Sequence, residues 1–186
     1  GPTRDGQAAA AGWPDKLAGD ALKQLWRVGD LGPSYSGPVV AGGRVFTTQT
    51  VDKTTEVVTA HDRRTGRELW RASWPGAVTV PFFAAKNGSW IRATPAHDGD
   101  TLYVAGVRDV LVALDAATGK ERWRLDLAAE FAAPPPAFGF VSSPLVDDAG
   151  VYVQAGGGFV KADKKTGRVL WRVLDDGGGM MGSAFA

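Results

Sequence analysis

An all-β chain arranged as a β-propeller of four-stranded antiparallel blades is what the sequence predicts, on three observations. The pattern A-x-D-x-x-T-G-x-x-x-W occurs at Ala60–Trp70 and Ala113–Trp123, and again, with Lys161 in the leading place, at Asp163, Thr166, Gly167 and Trp171. A recurrence at roughly 50 residues marks a stacked supersecondary unit that cannot bury its own apolar face. Between the copies lie runs of strand length, and none carries a 3.6-residue apolar stripe. Seven tryptophans and no cysteine leave ring burial, rather than cross-linking, to hold the sheets together.

The elements follow in order. Residues 1–24 read as an N-terminal extension and 25–186 as part of a propeller, with Leu25-Trp26-Arg27 as the last strand of a preceding blade. The first complete blade, 36–74, opens at Ser36-Gly37-Pro38-Val39-Val40, with Pro near the start where a missing N–H does least harm. Gly42-Gly43 turns the chain into the β-branched run Arg44–Val51, and Asp52-Lys53-Thr54 turns it again into Thr55–Ala60. Asp62 can accept from amides two residues on, and Gly66 supplies the positive φ of a longer hairpin loop, so the fourth strand runs from Arg67 to Ala72. The same units recur in blades 92–127 and 141–175, and Gly182–Ala186 reads as the opening of one more. A two-layer sandwich is the alternative, but it has no need of a matching turn and Trp in every fourth strand.

Composition is that of an ordinary globular protein, and a formal charge of +1 argues against nucleic acid as the partner. No apolar run approaches the ~20 residues of a membrane span, and no signal peptide is visible at the N-terminus. The expectation is a chain that starts inside a longer product.

Chemistry is harder to place. Two connections between blades are long and aromatic: Trp74 through Arg92, and Glu130 through Ser143. Loops carry function more often than scaffold does, so Tyr35, Trp74, Trp90, Arg92, Phe138 and Phe140 are the candidate binding residues. The competing expectation is that these rings plug their own loops. No catalytic residue is assigned. His61 and His97 lack a metal-ligand spacing and are expected at the surface. Asp98, Asp100, Asp147 and Asp148 are expected on turn grounds alone. The triplets Gly156–Gly158 and Gly177–Gly179 lack the Lys-Ser/Thr of a phosphate loop and read as turns, and Gly182-Ser183-Ala184 lacks the second glycine of a nucleophile elbow. Arg63-Arg64 and Lys164-Lys165 fall on one rim, interrupted by Ala116-Ala117.

The repeated turn and tryptophan resemble the tryptophan-docking repeats of the PQQ-like β-propellers. That family includes quinoprotein alcohol and glucose dehydrogenases, BamB-type outer-membrane assembly proteins and uncharacterised exported proteins of planctomycete type. Gly1-Pro2-Thr3-Arg4-Asp5-Gly6 is similar to the opening segment of the last group. The resemblance implies about eight blades in a closed ring, hence a longer chain, and a periplasmic or extracellular location. The resemblance is specific for fold and not for function; the absence of an acid–base pair, nucleophile or metal cluster in the sequence points to a non-catalytic scaffold that binds a protein or glycan partner and needs no cofactor. The remaining blades of its own chain, or another chain, would cover the open sheet edges. The alternative it carries is a PQQ- and calcium-dependent dehydrogenase, but the adjacent Cys pair of that class is missing and no calcium ligands can be assigned. No cofactor-binding residue is carried over.

Overall fold

The computed structural model describes residues 22–135, 137–155 and 157–175, together with positions 12, 16, 18 and 19. Three four-stranded antiparallel sheets follow one another along the chain. The first holds β1 (Val39–Ala41), β2 (Arg44–Val51), β3 (Thr55–Asp62) and β4 (Glu68–Pro75). The second holds β5 (Ala96–Asp98), β6 (Thr101–Gly106), β7 (Val110–Asp115) and β8 (Glu121–Asp126). The third holds β9 (Leu145–Val146), β10 (Val151–Ala155), β11 (Gly158–Ala162) and β12 (Val169–Val173). Each sheet runs in sequence order from inner to outer strand, as propeller blades do. A 3₁₀ helix, Phe82–Asn87, and one short turn of helix, α1 (Leu127–Glu130), lie in the two long connections. Asp126 caps α1, its carboxylate accepting from Ala129 N at 3.0 Å.

The repeated turn is built the same way three times. Asp62 Oδ1 accepts from Arg64 N, Thr65 N and Thr65 Oγ1, each at 2.9 Å. Asp115 and Asp163 repeat this set within 0.1 Å. Gly66, Gly119 and Gly167 share a φ of 74°, a value that glycine adopts without a Cβ penalty.

A second reason for those glycines comes from the neighbouring blade. The Trp26 ring lies over Gly66, where a β-carbon would approach it to 2.7 Å; Trp70 covers Gly119 at 2.5 Å and Trp123 covers Gly167 at 2.6 Å. Each indole then donates to the carbonyl just after the turn aspartate: Trp26 to Arg63, Trp70 to Ala116 and Trp123 to Lys164, at 2.8 to 3.1 Å. Between the three sheets, one blade's outer strand is thus bolted to the next blade's turn, whereas Leu25-Trp26-Arg27, expected as the last strand of a preceding blade, pairs in no sheet among the described residues. Trp171 has no such turn over it among the described residues. It is 38% exposed and packs on Tyr152 and Phe159 of its own sheet.

The two cores lie between blades. Leu102, Val104, Val112 and Leu114 of the middle sheet point toward the first sheet, against Phe46, Val58, Trp70 and Trp74. Tyr103, Ala105, Leu111 and Ala113 point the other way, against Val151, Val153 and Val160. The period-2 side-chain alternation of a strand puts both sets in a core. The inner strands are tied as well. Gly37 N donates to Thr94 Oγ1 and Thr94 N to Ser143 Oγ, both at 3.0 Å; each acceptor precedes a proline that opens an inner strand.

Both histidines correct the surface expectation. His61 is 4% exposed, because β3 continues to Asp62 and carries the ring inward. Its Nδ1 donates to the Gly66 carbonyl at 3.1 Å, and its Nε2 meets Thr59 Oγ1 at 3.1 Å. His97 is half-buried and stacks on Phe46; burial lowers its pKa. Gly157 lies in the β10–β11 turn, as expected, and Gly158 opens β11 in register with Ala155. Gly156, Gly177–Gly179, Gly182–Ala186 and the segment Gly1–Gly6 lie outside the described residues.

Candidate functional site

Antiparallel order separates two ends of the propeller. The docking turns sit where Asp62 ends β3. Thr55, at the other end, pairs with Pro75, so both long connections leave from the face opposite those turns. That face gathers four of the six candidate residues. The Tyr35 and Trp90 rings lie 5.3 Å apart, and the Arg92 guanidinium stands 4.7 Å from the Tyr35 centroid. Arg92 Nε donates to the Phe138 carbonyl at 3.0 Å and an Nη to the Gly88 carbonyl at 3.3 Å. One arginine therefore pins three loops. Tyr35 N also donates to Ile91 O at 2.9 Å, fixing the first loop by its backbone.

Two rings outside the candidate set extend the surface. Phe82 is 91% and Phe83 70% exposed; they meet edge to face at 5.7 Å, and Phe83 meets Phe138 at 6.2 Å. The run Pro81-Phe82-Phe83 in a loop was the available signal. The other two candidates, Trp74 and Phe140, are buried. Phe140 belongs to the core between the second and third blades, and Phe140 N donates to Val107 O at 2.8 Å. They support the loops from beneath.

Trp74 leads to a residue that sequence reasoning missed. Glu56, 1% exposed at the start of β3, accepts from Trp74 Nε1 through Oε2 and from Val107 N through Oε1, both at 2.7 Å. Val107 belongs to the second blade, so this carboxylate joins two sheets. Gly76 and Gly106 wall the pocket, and a β-carbon at either would collide with the carboxyl group. Burial pushes the Glu56 pKa up to about 6, against the lowering effect of the two hydrogen bonds and of Arg124. The Arg124 guanidinium lies 5.4 Å from the Trp74 ring centroid. A Glu between Thr55 and Val57 in a strand buried on both faces was the only hint.

On the axis side, an open concavity of about 690 Å³ runs between the inner strands, lined by Pro38, Pro95, His97 and Pro144 among others. On the docking-turn rim, Lys164 pairs with Asp98 and Arg122 with Asp100 and Asp115, at 2.7 to 2.8 Å. Those partners depress Asp100 and Asp115 to about 2. Lys164 and Arg122 are thus each paired with an aspartate of a neighbouring element. Among the described residues no three His, Cys, Asp or Glu side chains converge as a metal site would require, and no helix is long and apolar enough to cross a membrane.

Stacked four-stranded sheets, joined at both junctions between them by an indole seated on the next blade's D-x-x-T-G turn, define a tryptophan-docked β-propeller of PQQ-like repeats. The chain belongs to the family described as outer membrane protein assembly factor BamB, whose profile matches residues 54–185. It is 33% identical over 159 residues to the serine/threonine-protein kinase AfsK of Streptomyces griseus, covering 83% of this chain and 18% of the kinase. It is 30% identical over 142 residues to the quinohemoprotein alcohol dehydrogenase ADH IIB of Pseudomonas putida, covering 73% of this chain and 19% of that enzyme. The crystal structure of BamB from Moraxella catarrhalis superposes with a TM-score of 0.50 at 18% identity, over 76% of this chain and 36% of BamB. The chain thus spans about a fifth of the length of these two curated relatives. The repeats are shared by enzymes and by an assembly factor, so the fold alone does not select between them.

Proposed function

We propose that these blades are a non-catalytic scaffold that binds a protein or glycan partner in the cell envelope, periplasmic or extracellular. The surface built on Tyr35, Trp90, Arg92 and Phe138, and extended by Phe82 and Phe83, makes that contact. The observation that carries the reading is the exposure of Phe82 and Phe83 beside an arginine-pinned aromatic cluster. Large exposed rings on a fixed loop face supply contact area at low entropic cost, as interface anchors do. Membership of the BamB family supports a binding role. The remaining blades of a longer chain, or another chain, cover the open sheet edges.

The test is capture from an envelope extract and binding to a glycan array, with wild type and the variants Phe82→Ser/Phe83→Ser and Trp90→Ala. Partners bound by the wild type should weaken at least about tenfold, the cost of losing one anchor. Unchanged affinity in both variants would remove the surface from the account.

The 30% identity to a quinohemoprotein dehydrogenase favours a second reading, oxidation of an alcohol or sugar with PQQ and calcium. The described residues do not converge on a metal donor set, and no step is assigned to them. Incubation of the full-length protein with PQQ and calcium decides it. Alcohol oxidation at roughly 1 s⁻¹ or faster would replace the scaffold reading.

A further inference from the structure

Every hydrogen-bonding position of the Glu56 carboxylate that the structure fills is filled by a donor. Oε2 takes the Trp74 indole N–H and Oε1 the Val107 amide N–H, and neither nitrogen can accept. Each oxygen keeps a second lone pair that can take a proton, so protonation displaces neither bond outright, but it removes the charge that strengthens both and weakens them together. The Val107 bond is the consequential one. The Val107 carbonyl holds Phe140 N, Gly139 packs against the Val107 side chain, and the Phe138 carbonyl holds Arg92. A continuous path runs from the carboxyl group to the loop face: Glu56, Val107, the 138–140 segment, Arg92, Tyr35.

We infer that Glu56 is a proton-operated latch between the first two blades, which positions the Phe138–Phe140 segment and so regulates the surface formed with Tyr35, Trp90 and Arg92. That this surface binds a partner rests on the function proposed above; the latch itself does not. Burial opposes the charged form, and the two N–H donors support it. Among charged neighbours, Arg124 of β8 favours the carboxylate. The 106–109 turn adds exposed Arg108 and buried Asp109, and the β2–β3 turn adds exposed Asp52 and Lys53. On β3 itself, His61 and Asp62 stand at the far end. Glu56 is a positioning residue, since it acts on the surface only through Val107.

The test is a pH titration of the nitrogen-15-labelled chain by NMR, without any partner, from about pH 4.5 to about pH 7.5. The Trp74 indole, Val107, Phe140 and Arg92 Nε resonances should move together, with a common midpoint near pH 6. In Glu56→Gln the common movement should vanish. Trp74→Phe keeps a ring but removes an N–H that favours the carboxylate, so the midpoint at Val107 and Phe140 should rise; this arm stands even if Glu56→Gln does not fold. Movement confined to Trp74 and Val107 would overturn the latch, and so would a titration that survives Glu56→Gln. A flat titration defeats the latch, whereas an intact titration with no captured partner defeats the surface.

Discussion

At the scale of single residues, Glu56 makes a prediction about stability separate from its effect on the surface. Its folded pKa, about 6, lies above the 4.5 of an ordinary glutamate, so the folded chain holds this proton more tightly. The stabilisation is complete below about pH 4.5 and is lost as pH rises through about 6, a difference of about 2 kcal/mol. His97 acts in the opposite sense, because its lowered pKa adds stability above 6.5 that is lost as pH falls. The difference between wild type and Glu56→Gln isolates the glutamate. Urea unfolding of both from about pH 4 to about pH 7.5 should show the wild type losing about 2 kcal/mol relative to Glu56→Gln as pH rises; parallel curves would show that Glu56 does not titrate in this range. The docking rings allow a second comparison. Trp123 is buried between blades, and Trp123→Ala should cost about 3–5 kcal/mol. Trp171, 38% exposed over its own sheet, should cost under about 2 kcal/mol on the same change. Equal losses would mean that the inter-blade contact contributes nothing beyond ring burial.

Among the elements, the inner strands carry the least obvious tie. Thr94→Val keeps shape and removes the acceptor for Gly37 N, so it should cost about 1 kcal/mol. Amide exchange at Gly37 should quicken while that at Phe46, deep in β2, does not; an unchanged Gly37 amide would show the bond to be dispensable. The strands themselves were legible. Arg44–Val51 is predicted and observed with the same ends, because its β-branched run and two turn signals leave no alternative. Asp52 and Lys53 both adopt positive φ, 51° and 59°, in the three-residue turn between the paired Val51 and Thr55. The outer strand runs on to Pro75, three residues past the expected Ala72, because Trp74 is drawn inward by Glu56. The inter-blade bonds were not legible. They depend on which hydroxyl meets which amide 49 to 57 residues away, and no local pattern encodes that. The loop face was half legible for the same reason: aromatics in a long connection were visible, but whether a ring faces water or the core depends on the neighbouring blade.

For the whole molecule, each sheet makes its contacts with the next, through one core and one indole bolt per junction. Stability in such an array is a sum of sheet terms and nearest-neighbour junction terms, and local opening is expected where a junction fails. Trp123→Ala removes the bolt between the second and third blades and leaves Trp70 in place between the first and second. Hydrogen exchange followed by mass spectrometry should therefore show protection falling over 145–173, while 44–75 keeps wild-type protection. Trp70→Ala should lower protection in the first and second sheets, which are then held together only by the rest of their shared core and by the Glu56–Val107 bond. Uniform loss of protection in Trp123→Ala would mean that the blades unfold as a single cooperative unit. In that case the sheets could not be treated as separable, and a proton on Glu56 would be felt throughout the chain instead of along the path from Val107 to the loop face.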